Sequence, residues 1–529
     1  MTANRLNKIA TLAVMAITTL SCASAPTAQV PSPPANRPGL VVLVVVDQLS
    51  ADLFDRYADL YTGGFKRLRE SGHSFANAAH DHAITVTAPG HATLSTGVYP
   101  SRHGVISNLW LEKSGSGWVP VENIADSTAQ IVGVTNARGA SPVHLMRSGF
   151  AEWLVQANAR SKVASVSGKD RGAIQPAAHA RSAYVYWFDG GFRRFVTTSY
   201  YHKADPDWVT RFNKALADGH RADTVWRIAA PPSTWSRSNR DTLEYEADGV
   251  TTFFPHRYRT EGDTANFWTW WENTPQVDAV TLDMAETMVT SLDLGRDDAP
   301  DFLNVSLSAT DRIGHRFGPL SREQLDNLLR LDRELGEFFD FLDKSVGRNR
   351  WTVVLTADHG VVDSPEDLIA RGEYGHRLTA AENKTLDSLR ARADSSPDKK
   401  VAARELVAAL KKLPIIGDAW TQEELLAQPR DSFALLQRRS MYPGREAGRF
   451  SRQGVEFRYR AGIYGAPTGS GHGSPYWYDR HVPFIFMGPN INAGRDLSKA
   501  ATVDFAPTAS ALLGISYPKD LDGKVLNLR

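Results

Sequence analysis

Apolar positions along this 529-residue chain fall into two kinds of run. The first kind is short, continuous and rich in β-branched residues. "GLVVLVVVD" (39–47) is the clearest, and it predicts a central strand of a parallel sheet, buried on both faces. "SKVASVSGKDR" (161–171), "DFLNVSLSATD" (301–311) and "WTVVLTADHG" (351–360) repeat the pattern, each apolar run giving way at once to polar residues and glycine. "HVPFIFMGP" (481–489) reads as another strand. The second kind has helical spacing. "SREQLDNLLRLDRELGEFFDFLDKSVG" (321–347) puts Leu325, Leu328, Leu335, Phe338 and Leu342 on one stripe and opens with Ser321 and Gln324 at capping-box spacing. Strands of the first kind separated by such helices predict an α/β fold with a mostly parallel sheet. Ligands of open α/β sheets bind beyond the carboxyl ends of the strands, so the residues just after these runs should converge on one crevice.

Two stretches break this rhythm. Residues of about 189–275 are rich in Trp, Tyr and Arg, and residues of about 363–460 are charged, with a helical pattern in "VAARELVAALKKL". Both read as insertions that roof the crevice. "NFWTWWEN" (266–273) is either packing inside that roof or a surface for a glycan. At the N-terminus, Arg5 and Lys8 precede "IATLAVMAITTL" and then "SCASA", the order of a signal peptide over residues 1–25. Its apolar core is short for a bilayer span, and no later segment looks transmembrane. Residues 26–37 read as a linker and 38–529 as a single catalytic domain. Cys22 is the only cysteine. "TLSC" is an imperfect lipidation box because of where Leu20 stands, so cleavage after Ala23 or Ala25 is favoured over lipid anchoring. The expected product is exported, to the periplasm or beyond, and free of thiols. Lys+Arg (60) and Asp+Glu (59) balance and are scattered, which argues against nucleic acid as a specific partner.

Four of the predicted strand or loop ends carry metal-ligand chemistry. Asp47 follows the first strand, Asp311 and His315 follow "VSLSAT", Asp358 and His359 follow "VVLTA", and His472 lies in the glycine-rich "GSGHGSPYW". Singly each has a bland reading, a helix cap or a structural hydrogen-bond acceptor. Jointly, three carboxylates and three imidazoles can hold two cations, and N/O donors without thiolate suit zinc. "ITVTAPGHATLSTG" (84–97) reads as a turn feeding a helix, with Thr87 at its start and Pro89 in the first turn. A helix N-terminus there offers N–H groups and positive potential to an anion. Thr87 is a nucleophile or a helix cap, while Thr85, Thr93 and Thr96 read as strand, helix and cap. Lys169 and Arg171 in "SVSGKDRGA" follow a strand and are either solvated or aimed at an anion.

"DRIGHRFGP", "TADHG", "GHGS" and "TAPGHATLSTGVYPSRHGVISN" together resemble the alkaline phosphatase superfamily, including its nucleotide pyrophosphatase/phosphodiesterase branch, over most of the chain from about residue 38. The Gly-Lys-Asp-Arg-Gly pattern narrows the resemblance to threonine-nucleophile alkaline phosphatases of the PafA/PhoK type. That resemblance implies a three-layer α/β/α sandwich. It implies two Zn2+, one held by Asp311, His315 and His472, the other by Asp47, Asp358 and His359 with Thr87 on it. Other divalent metals and an additional structural Ca2+ are alternatives. Thr87 would attack phosphorus, and Asn108, Lys169 and Arg171 would bind phosphoryl oxygens. The expected activity is hydrolysis of small phosphate monoesters through a phosphothreonine; the alternative is a phosphodiesterase or nucleotide pyrophosphatase on the same site. Lys169 and Arg171 favour monoesters, since a dianion carries the extra anionic oxygen that cations can bind. The C/S-x-P-x-R signature of sulfatases is absent. His80, His82, His91, His103 and His481 read as structural or as supports behind the ligands.

Overall fold

Seven consecutive residues without solvent exposure, Leu40–Val46, form the strand on which the molecule is built. In the computed structural model, which describes residues 36–115, 117–219, 224–247, 251–258, 264–443, 449 and 451–529, this strand sits inside a nine-stranded sheet. The expected signal peptide over 1–25, Cys22 and most of the expected 26–37 linker lie outside the described residues. The strands of that sheet, in chain order, are β1 (Leu40–Val46), β2 (His73–Ala79), β3 (Val163–Ser167), β4 (Tyr184–Asp189), β5 (Arg194–Val196), β6 (Asp301–Leu307), β7 (Trp351–Thr356), β8 (Ile485–Met487) and β9 (Gly494–Ala501). Their spatial order is β9-β2-β8-β7-β1-β6-β3-β4-β5.

β7, β1, β6, β3 and β4 run parallel, while β8 is antiparallel to both its neighbours and β5 is antiparallel to β4. Pairing of Val46 with Leu307 and of Val45 with Thr356 brings the carboxyl ends of the three central strands to one level. Alternate side chains of β1 enter different cores. Val42, Val44 and Val46 pack on one face with Leu325, Leu328 and Leu335; Val41, Leu43 and Val45 pack on the other with Phe150, Leu154 and Phe505. This is the three-layer α/β/α arrangement with a mostly parallel sheet.

Five helices matter for the site: α1 (Thr87–Thr96), α2 (Asp170–Ala177), α3 (Gln276–Ser291), α4 (Ala309–Phe317) and α5 (Arg322–Leu342). α5 carries its expected stripe buried. Its capping box forms only in half. Ser321 Oγ accepts from the Gln324 amide (3.1 Å), but the Gln324 side chain instead donates to the Thr310 carbonyl in α4 (2.8 Å).

Within residues 189–275, β5 joins the edge of the central sheet. Phe267, Trp268 and Trp271 are buried, the two tryptophans against Phe188, so the aromatic run packs inward rather than offering these rings to a glycan. Residues 363–460 carry a small apolar cluster of their own, including Leu386, Leu406, Leu410, Ala419 and Val455. Among the described residues, no helix is long and apolar enough to cross a membrane.

Candidate active site

All the candidate ligands but His472 stand just beyond the end of a strand of the parallel set. Asp47 follows β1, and the chain turns sharply at Gln48, whose φ is 70°. Asp358 and His359 follow β7. After β6 the chain enters α4, which places Asp311 and His315 one turn apart on one face. The first turn of α4 is capped from outside: Asp278 of α3 accepts from the Ser308 and Ala309 amides (2.6 and 3.0 Å). The loop bearing His472 is tied to the same helix through the Ser470 amide and the Gly314 carbonyl (3.1 Å).

The three imidazoles share one device. His315, His359 and His472 each point Nδ1 at a backbone carbonyl, of Ser470, Gly360 and Thr85, at 3.0, 3.0 and 2.7 Å. A nitrogen facing a carbonyl carries the proton, so the lone pair of each neutral ring is on Nε2. His315 Nε2 and His472 Nε2 then face each other at 3.2 Å, and both face Asp311 Oδ1, at 3.1 and 3.4 Å. Acceptors gathered this way need a cation between them. On the other side, three buried atoms have no hydrogen-bond partner among the described residues: Asp47 Oδ1, Asp358 Oδ2 and His359 Nε2. His359 Nε2 lies 3.4 Å from the first and 3.6 Å from the second. The donor sets therefore fit divalent metal ions. Asp311 lies between the halves, since the donor atoms of Asp311, His315 and His472, and those of Asp47, Asp311 and His359, fall within 4.8 Å of one another.

Lys169 stands at this junction. Its ammonium, nearly buried, donates to Asp47 Oδ2 (2.6 Å) and Asp311 Oδ2 (2.5 Å), leaving the Oδ1 atoms to the ion-binding halves. Burial, with the charges of Asp311 and Asp358, pushes the Asp47 carboxyl well above its usual range, against the pull of Lys169. Burial also acts upward on Asp311 and Asp358, but His315 and Lys169 hold the first well below the usual range, and His359 and His91 hold the second below it. Burial lowers His359 to about 3, which keeps its ring neutral.

Thr87 is the first residue of α1 and is 1% exposed. The cap position belongs to Val86, and no side-chain cap bond forms, so Thr87 is not the cap. Gly90 lets α1 lie against the Asp358 corner: a Cβ there would meet the Asp358 carbonyl oxygen at 2.1 Å. His91 Nδ1 lies 2.9 Å from the Thr87 carbonyl and 3.3 Å from Asp358 Oδ2, joining nucleophile candidate and ligand. Asn108 Oδ1 accepts from the Ala88 amide (2.8 Å), which turns its Nδ2 donors elsewhere. Arg171, on the first turn of α2, is partly exposed; it pairs with Asp170 (3.5 Å), and its Nε has no hydrogen-bond partner among the described residues. His80 joins the Ala357 carbonyl to Thr502, His103 pairs with Thr93, and His481 pairs with the Ala76 carbonyl.

Three participants escape a sequence reading. Gln48 donates from Nε2 to Asp311 Oδ1 (2.8 Å) and from its backbone to Asp358 Oδ1 (3.2 Å). Asp278 and Gln324 brace α4. Of these only Gln48 stands at a strand end, adjacent to Asp47.

Comparison with known proteins identifies the family. Residues 41–414 match the model of the type I phosphodiesterase / nucleotide pyrophosphatase family. The chain is 33% identical to alkaline phosphatase PafA of Elizabethkingia meningoseptica, over 92% of this chain and 94% of the relative. It is also 33% identical to alkaline phosphatase PhoK of a Sphingomonas species, over 93% and 92%. The crystal structure of wild-type PafA superposes with a TM-score of 0.84 at 31% identity, covering 93% of this chain and 99% of that one. The chain thus belongs to the type I phosphodiesterase / nucleotide pyrophosphatase family and, within it, to the alkaline phosphatases, hydrolases of phosphate monoesters.

Proposed function

We propose that the chain is an exported, zinc-dependent alkaline phosphatase that works through a phosphothreonine at Thr87. The observation that carries the reading is the convergence of acceptors: Asp47 Oδ1, Asp358 Oδ2 and His359 Nε2, without hydrogen-bond partners among the described residues, on one side, and the facing His315 and His472 nitrogens with Asp311 on the other. Asp311, His315 and His472 would hold one ion and Asp47, Asp358 and His359 the second, with Thr87 beside it. When bound, these ions supply Lewis acidity, lowering hydroxyl and water pKa values and offsetting phosphoryl charge.

The chain's own groups do the rest. The Thr87 oxygen forms a bond to phosphorus as the bond to the substrate's alcohol oxygen breaks, and the alcohol leaves with a proton. Water then attacks the phosphothreonine, returning Thr87 and releasing inorganic phosphate. An ammonium has three donors, and Lys169 commits two to Asp47 and Asp311; the third is available to a phosphoryl oxygen. Asn108, its Oδ1 engaged by Ala88, offers Nδ2 to another. Arg171 adds a guanidinium whose Nε is uncommitted among the described residues. These cations favour a dianionic monoester over a diester.

The test is kcat/KM of the zinc-reconstituted protein on p-nitrophenyl phosphate and bis-p-nitrophenyl phosphate at alkaline pH. A strong monoester preference is expected, together with loss of the phosphoenzyme in Thr87→Ala at unchanged zinc content. A diester preference overturns the substrate reading, and a phosphoenzyme surviving in Thr87→Ala overturns the nucleophile.

A further inference from the structure

The three carboxylates come from separate strand ends, yet a two-ion site needs them at one fixed spacing. Lys169 ties Asp47 to Asp311. The remaining link is Gln48. It follows Asp47 in the chain, donates from its side chain to Asp311 and donates from its backbone to Asp358, so one fully buried residue is attached to all three.

Three features set Gln48 apart from a packing residue. Its φ of 70° is left-handed, a conformation uncommon for a residue with a side chain. Its amide must turn nitrogen toward Asp311, since a carboxylate accepts only, and this leaves Oε1 buried without a hydrogen-bond partner among the described residues. Room for that oxygen exists because residue 314 is glycine: a Cβ there would meet Gln48 Oε1 at 1.9 Å. An unfavourable backbone, an unsatisfied carbonyl and a forced glycine all serve to place one donor on Asp311. Such combinations gather where geometry matters more than stability.

We infer that Gln48 is a positioning residue that fixes the two ion-binding halves relative to each other, through the Asp311 side chain and the Asp358 carboxylate. The inference rests on the two-ion reading. Its side-chain arm acts on the Asp311 half, and its backbone arm, which substitution leaves in place, acts on the Asp358 half. Loss of the side chain should therefore weaken one ion far more than the other.

The experiment compares wild type with Gln48→Met, which keeps length and bulk but has no donor, and with Gln48→Ala. Zinc dissociation constants are measured by competition with a chromophoric chelator, and Tm is measured on the zinc-free chains. Gln48→Met should keep a near-wild-type zinc-free Tm while one of two zinc dissociation constants rises about 10–100-fold. Wild-type affinity for both ions in Gln48→Met overturns the proposal, as does affinity lost only in step with zinc-free Tm across both variants. A wild-type chain that takes up fewer than two ions overturns the two-ion reading, and this proposal with it.

Discussion

Gly90→Ala pits two effects of opposite sign against each other. Inside a helix alanine is ordinarily favoured over glycine by about 1 kcal/mol. Here the new Cβ would sit 2.1 Å from the Asp358 carbonyl oxygen and 2.8 Å from its carbonyl carbon and its Cβ. The first of these atoms is backbone at a strand end and cannot rotate away. Real Cβ contacts do not fall below 3.0 Å, so α1 and the Asp358 corner must separate by roughly 1 Å. Overpacking of this kind costs about 1–3 kcal/mol, so after the helix preference is credited the net loss of stability is about 0–2 kcal/mol. Activity should suffer more. The helix opens with Thr87 and the corner carries Asp358 and His359, so the shift falls between the proposed nucleophile and the proposed ligands. A misplacement of about 1 Å lowers the rate about 100-fold, or about 2.7 kcal/mol of transition-state stabilisation. The assay is kcat/KM on p-nitrophenyl phosphate at measured zinc content, with Tm in parallel. A variant with full zinc and kcat/KM within about threefold of wild type would refute the claim that this contact sets the geometry.

Asp278→Ala strands two buried amides at the start of α4 and should destabilise the chain by about 3 kcal/mol. Asp278→Asn keeps the accepting oxygen and should lose much less; equal losses in urea unfolding would show that the cap is not the cause. Glu246 is buried near Glu323, Asp367 and Asp241, and burial first, then those charges, raise its carboxyl to about 9. The folded form keeps a proton that the unfolded chain gives up near 4.5, so stability is lost as pH rises from about 4.5 to about 9. Glu246→Gln removes this dependence, and its advantage over wild type in unfolding free energy should grow between pH 5 and 9 by at least about 1 kcal/mol; parallel Tm–pH curves would count against it.

The strands that carry ligands were legible because a strand buried on both faces is apolar in the main, its few polar side chains bonded inside as Asn304 is to Ser165. β1, β3, β6 and β7 read that way. β2 ("HSFANAA") and β9 ("GRDLSKAA") did not: the first is partly exposed, and the second is mostly exposed at the sheet edge, so neither needs a continuous apolar run. The candidate ligands could be picked out because each follows a strand or sits among glycines, and a parallel sheet brings such ends together. The bracing was not legible. Asp278 lies 30 residues from the amide it caps, and nothing local marks it. Gln324 has the spacing of a capping box, yet tertiary contact with Thr310 diverts it. Gln48 takes a backbone conformation that its residue type does not announce.

The position of Lys169 between Asp47 and Asp311 has a consequence for control of turnover. One ammonium against the carboxylates of Asp47, Asp311 and Asp358 leaves the cluster with two negative charges. The two proposed divalent ions would turn this into two positive charges, equal and opposite to a phosphate monoester dianion. Inorganic phosphate at alkaline pH carries the same double charge on the same oxygens. A pocket so charged would hold its product on the same terms as its substrate, so released phosphate would compete with the next monoester.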